Sequence, residues 1–130
     1  VDWNLLSDVN SQALAAALRG AAARHAAIAD NVANVDTPGF VRSDVDFEEA
    51  LALALQEARR APHRAADLIA ALSLRPRRDL ASPARADGNN VNIDREMAAL
   101  ARNVLRYNAA GEILAARIRA LRTAIHEGRR

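Results

Sequence analysis

Residues 93–127 read IDREMAALARNVLRYNAAGEILAARIRALRTAIHE, and their spacing decides the fold class. Ile93, Met97, Leu100, Val104, Tyr107, Gly111, Leu114, Ile118, Leu121 and Ile125 follow alternating steps of four and three residues. That is a period of about 3.5, a helix-pairing seam with one break at Gly111. A second stripe, Ala98, Ala101, Leu105, Ala109, Ala116, Ala120 and Ala124, widens the apolar surface. Asn92 is a candidate N-cap, and Asp94 and Glu96 fall in the first turn, where the helix dipole favours acids.

The other end of the chain carries a matching pattern. From about Asp8 to Ala33, the residues Leu14, Leu18, Ala21, His25, Ile28, Val32 and Val35 take the same steps. Trp3, Leu5 and Leu6 form an apolar cluster ahead of this helix, and Ser7 or Asp8 can cap it. Gly20 inside it costs about 1 kcal/mol relative to Ala. The helix is expected to stop before Pro38, because a residue preceding proline avoids the helical region.

Between the helices the chain is irregular. In Thr37-Pro38-Gly39-Phe40, Pro38 presets the first central position of a type II turn and Gly39 accepts the positive φ of the second. Residues 41–46 read as extended. Asp46 with Glu49 resembles a capping box opening a short helix at about 47–58. Residues 59–86 hold seven Arg and three of the four Pro. Leu68, Ile69, Leu72 and Leu74 allow one short helical turn or two, and the rest is expected to be loop or disorder. Asp87-Gly88-Asn89-Asn90 reads as a turn. The organisation is therefore 1–40, helix and turn; 41–92, a middle segment; and 93–130, a second helix forming one structural domain with 1–40.

Composition agrees with an all-α fold of two long paired helices. The 130 residues fit one domain. Apolar residues make up 51% but aromatics only 3%, and 32 Ala against 15 Leu favour close-packed helices over a β-sandwich. There is no Cys, which excludes disulfides and thiol chemistry. All 18 basic residues are Arg, yet the net charge is only +2, so basicity is poor evidence for nucleic-acid binding. No stretch approaches the roughly 18 apolar residues of a membrane span, and no cleavable secretory signal is expected.

Catalytic patterns are weak. His25, His63 and His126 lie on separate segments with no metal-ligand spacing. The run from Asp87 departs from a calcium loop at Val91, Asn92 and Ala98. No catalytic residue, metal or cofactor is expected. The Arg-rich 59–86 segment is the one feature pointing to nucleic acid, but it lacks interleaved aromatics, and no nucleic-acid partner is expected.

A lone pair of such helices leaves its Ala-rich faces in water. Either other chains cover them, making this an assembly subunit, or the 47–58 and 68–74 segments complete a self-contained bundle. An Arg-rich nucleic-acid-binding protein and a cytoplasmic coiled-coil adaptor are the alternative functions.

The run Ala29-Asp30-Asn31-Val32-Ala33-Asn34-Val35-Asp36-Thr37-Pro38-Gly39-Phe40 closely resembles the signature of flagellar basal-body rod proteins, an ANNIAN-type motif followed by TPGF or TPGY. The stretch from Asp87 to Met97, then Leu105-Arg106-Tyr107 and Leu121 to Ile125, adds to it. The short, cell-proximal rod type fits best. The resemblance covers about 8–50 and 87–126 and leaves 59–86 uncovered. It implies a non-enzymatic structural subunit of the periplasmic drive shaft, required for motility and exported without a cleaved signal through the flagellar type III apparatus. Implied partners are copies of itself, neighbouring rod proteins, the rotor-ring protein and the ring-to-rod adaptor. Leu14, Leu18, Ile28 and Val32 would pair with Leu100, Val104, Leu114, Ile118 and Leu121. Asn31 and Asn34 would cap the first helix or meet a neighbouring subunit. Thr37, Pro38 and Gly39 would turn the chain, with Phe40 as an anchor or an ordinary core contact.

Overall fold

An Ala-rich run without proline gives the first helix, α1, Val9–Ala33. The computed structural model describes residues 8–128, so Trp3, Leu5, Leu6 and Ser7 lie outside the described residues. Asp8 caps α1, its Oδ1 accepting from the Asn10 amide at 3.4 Å. The last helix, α4, is Ile93–Glu127. Asn92 caps it, accepting from the Arg95 amide at 3.0 Å. The two helices run antiparallel along each other. Asp8 meets Arg117, the Ala21 carbonyl meets Asn103, and Asn31 meets Glu96. At about 1.5 Å per residue they are roughly 37 and 52 Å long.

Those three contacts define the face that α4 turns to α1. Glu96 and Asn103 are buried on it, and Leu100, Leu114 and Leu121 are half-buried. Ile93, Met97, Val104, Tyr107, Ile118 and Ile125 are all exposed. The apolar seam is therefore wider than one partner helix. Helix α1 takes the edge where Glu96 and Asn103 find hydrogen-bond partners, because burying such groups unpaired costs more than leaving aliphatic ones wet. On α1, Ala21 and Ile28 are buried, Leu14, Leu18 and Val32 are half-buried, and His25 is exposed; Val35, just past its end, is half-buried.

Helix α2, Glu48–Arg60, packs on another side of α1. Ala27, Val45 and Phe47 form the core there, with Ala17, Ala23, Leu51 and Leu74 against them. Six of the eleven buried apolar residues are Ala, which lets the backbones approach closely. Gly20 is the extreme case. A Cβ at that position would stand 2.6 Å from the Phe47 ring, so the glycine that weakens α1 as a helix seats the aromatic. The expected Asp46 capping box does not form: α2 has no side-chain cap, and Asp46 is exposed. The burial of Phe47, already at φ −117° and ψ −15°, starts the helix instead.

The 59–86 segment is more structured than its polarity implies. A 3-10 turn at Pro62–Arg64 leads into α3, Ala65–Ala70. Ala65 and Ile69 are buried, and α3 packs on α1 and α2. Further on, β2, Arg77–Arg78, pairs antiparallel with β1, Ser43–Asp44, placing Ser43 opposite Arg78. A few apolar anchors and one short ladder order a stretch whose composition resembles a linker.

Candidate assembly motif

The turn after α1 is built as its residues demand. Gly39 has φ +72°, and the Phe40 amide donates to the Thr37 carbonyl at 3.2 Å. Thr37, Pro38 and Gly39 are exposed, while Phe40 is half-buried. A second positive-φ glycine, Gly88 at +81°, lies against it: a Cβ on Gly88 would be 3.4 Å from Gly39 Cα. The Gly39 amide donates to the Asp87 carbonyl at 2.8 Å. Two tight turns, some 50 residues apart in sequence, therefore interlock at one end of the helix pair.

The asparagines close that end. Asn34 is the C-cap of α1, its amide donating to the Asp30 carbonyl at 2.8 Å and its oxygen accepting from Thr37 Oγ1 at 3.2 Å. Asn89, fully buried, donates from one nitrogen to the carbonyls of Asn34, Val35 and Thr37 at 2.9, 3.2 and 2.8 Å. Its oxygen accepts from the Val91 amide at 2.7 Å. Freed carbonyls at a helix end must find donors, and here a distant turn supplies them.

Asn31 faces inward, with no exposed surface. Its nitrogen donates to the Ser43 carbonyl at 2.8 Å and Glu96 Oε2 at 3.0 Å, and its oxygen accepts from the Ser43 amide at 2.9 Å. Glu96 also accepts from Arg42 Nε at 2.6 Å, and Arg42 reaches Asp79 at 2.7 Å. Asn90 joins the two strands' flanks, accepting from the Arg42 amide and donating to the Asp79 carbonyl, both at 2.7 Å. Burial opposes the Arg42 charge, but its bonds to Glu96 and Asp79 hold its pKa above the ordinary value. Bonds from Ser82 and then Arg42 hold the Asp79 carboxyl well below the usual range.

A second charged cluster ties α1 to α2. Arg24 donates to Asp44 Oδ1 at 3.0 Å and Glu48 Oε2 at 2.7 Å, also bonds the Val45 carbonyl, and stacks 5.2 Å from the Phe47 ring centre. Arg106 of α4 donates to Glu48 at 2.7 Å. The Glu48 bond raises the Arg24 pKa against its burial. Burial alone would raise the Glu48 pKa, but Arg24 and Arg106 bring it below the ordinary value.

These networks do structural work. Among the described residues no group of His, Asp or Glu is placed to hold a metal. Between α1 and α4, Ala21, Ala22, His25, Asn103, Val104 and Tyr107 line a mostly apolar groove of about 320 Å³. Of the motif residues, Asn34, Thr37 and Phe40 are bonded together in the turn after α1, while Asn31 turns inward to Ser43 and Glu96. Of the nine residues expected to pair the helices, Val104 and Ile118 are exposed, while Leu14, Leu18, Ile28, Val32, Leu100, Leu114 and Leu121 are buried or half-buried. Arg42, Asp79 and Asn89 carry no motif or spacing that marks them in the sequence. Adjacent Asn89 and Asn90 after Asp87-Gly88 are the one local signal, and it reads as a turn.

Residues 12–40, most of α1 and the interlocked turn, match the family model described as flagella basal body rod protein. The flagellar basal body rod protein FlgB of Borrelia hermsii is 38% identical over 102 residues, covering 65% of this chain and 72% of that protein. The FlgB of Escherichia coli is 30% identical over 123 residues, covering 86% and 89%. The chain belongs to the FlgB family of flagellar basal body rod proteins. This rod protein is a structural subunit of the flagellar basal body, and it is not an enzyme. The resemblance read in Ala29 to Phe40 agrees with the match, and the nucleic-acid and cytoplasmic-adaptor readings are not favoured.

Proposed function

We propose that this chain is a subunit of the periplasmic drive shaft that carries torque from the rotor ring to the hook. Its partners in that reading are further copies of itself, neighbouring rod proteins, the rotor-ring protein and the ring-to-rod adaptor. It leaves the cytoplasm through the flagellar type III export apparatus without a cleaved signal.

One observation carries the reading. Ile93, Met97, Val104 and Ile118 form a stripe along α4 that α1 leaves uncovered, each 41–50% exposed. A stripe of that length on a family of polymerising subunits is suited to packing against a neighbouring helix. The interlocked turns then set the angle at which α1 and α4 present it. Asn31, Asn34 and Asn89 act inside the subunit, while Thr37, Pro38 and Gly39 are exposed and free to meet a neighbour.

The test is Val104→Asp combined with Ile118→Asp. The purified variant should keep its helical circular dichroism and be exported, because neither residue is buried in the chain. Rod assembly and swimming should be lost. Normal swimming with intact rods would overturn the reading.

A further inference from the structure

The seam of α4 reads the same from either end. Its ten residues, from Ile93 to Ile125, alternate steps of four and three that begin and end on a four. A second α4 laid antiparallel along it therefore sets every seam residue opposite another, with Ile93 facing Ile125 and Tyr107 facing Gly111. We propose that the free chain forms a two-fold dimer in this way, its α4 pairing antiparallel with the α4 of a second copy.

Shape and charge select a second copy in this direction. Tyr107 is the bulkiest side chain of the seam and is 47% exposed. Gly111 is the seam's gap, where a Cβ would meet nothing within 4 Å. The antiparallel register sets ring over gap twice, whereas a parallel pair in register sets ring on ring and gap on gap. Asp94 and Arg122 are exposed, and among the described residues neither has a charged partner. The same register brings Asp94 of each copy within a turn of Arg122 of the other; a parallel pair sets like charges together. Val104 and Tyr107 also border the apolar groove whose other wall is Ala21, Ala22 and His25, so the surface on offer continues from α4 onto α1. One helix-to-helix contact is small beside a permanent dimer interface, so the association is weak and reversible. A two-fold contact closes on itself and does not propagate. The dimer is therefore a form of the free chain, and it stands apart from the rod reading: swimming tests that reading, and self-association tests this one.

Sedimentation equilibrium of the purified full chain reads the association. A reversible monomer–dimer equilibrium is expected across the micromolar range. Asp94→Arg and Arg122→Asp should each weaken it about tenfold, and the two together in one chain should restore it. Ile113→Asp, exposed but off the seam, should leave it unchanged. The chain lacks cysteine, so mild oxidation of introduced cysteines reads the direction. Ile93→Cys chains mixed with Ile125→Cys chains should cross-link to each other. Neither should cross-link alone, because like positions lie about 48 Å apart in the antiparallel pair. A chain that stays monomeric throughout overturns the proposal. So does each cysteine variant cross-linking to itself, which marks a parallel pair, and so do species that grow beyond the dimer, which mark an open contact.

Discussion

Asn31 Nδ2 lies 3.0 Å from Glu96 Oε2 across 65 residues of chain, and neither side chain is more than 1% exposed. This contact joins the end of α1 to the start of α4. Through Ser43 and Arg42 the same pair holds β1 against both helices. A carboxylate so buried is tolerated because it is paired with a cation and hydrogen-bonded by an amide. The helices are thus keyed by a polar lock at one end, in a register that apolar side chains alone would not define.

Removing the amide should expose how much the lock contributes. Asn31→Ala leaves Glu96 with one donor fewer and strips both bonds to Ser43, at an expected cost of about 1–3 kcal/mol. Asn31→Asp should cost more, because it sets a second carboxylate against Glu96. Urea unfolding followed by circular dichroism measures both. Midpoints equal to wild type would show that the contact does not hold the helix pair.

The turn at Gly39 separates conformational strain from crowding. A Cβ there would meet nothing within 4 Å, so any penalty comes from φ +72° alone. Gly39→Val should destabilise by about 1–2 kcal/mol, since a β-branched residue resists the left-handed region. Gly39→Asn should cost clearly less, because Asn enters that region readily. Thermal unfolding of the two variants gives the comparison. Equal melting temperatures would mean that the turn relaxes into another form.

Some of this architecture was legible in the chain and some was not. The caps Asp8 and Asn92 and the proline after Asp36-Thr37 mark the long helices locally, so their bounds are readable. The Pro38-Gly39 turn is equally local. Which stripe of α4 faces α1 is not, because the exposed stripe and the packed one share the same period. The choice depends on where Glu96 and Asn103 find partners, and those lie 65 and 82 residues away. Asp79 sits in a polar, Arg-rich stretch with no spacing to mark it, yet it closes the network around Arg42. The order of 59–86 likewise rests on Ala65 and Ile69 meeting α1 and α2, a tertiary fact.

Acid should weaken the fold through the same network. Asp79 and Glu48 are held below their ordinary pKa in the folded chain, Asp79 by Ser82 and Arg42, Glu48 by Arg24 against burial. A depressed folded pKa contributes stability that is present above the unfolded value, about 4, and lost as pH falls through the folded one. Asp79→Asn should therefore be less stable than wild type near pH 7. The gap should narrow steadily below about pH 4, as wild type loses the charge the variant never had. Urea midpoints across that range test it. A gap that stays constant would assign the loss to packing and leave the charge without a role.

Gly20 and Phe47 offer a test with opposing terms. Gly20→Ala raises helix propensity by about 1 kcal/mol in the middle of α1. Its new methyl would also stand 2.6 Å from a buried aromatic ring, and overpacking of that kind costs about 1–3 kcal/mol. The ring is held between α1 and the Arg24 guanidinium, so it cannot swing aside cheaply. The expected sum is destabilisation, up to about 2 kcal/mol. Phe47→Leu alone opens space and should also destabilise. Together the two changes should be less harmful than the sum of their separate effects, because the smaller side chain admits the methyl. Chemical denaturation of the four proteins in this cycle reads the coupling directly. Additive losses would mean that the ring and the helix do not meet as closely as the 2.6 Å approach requires.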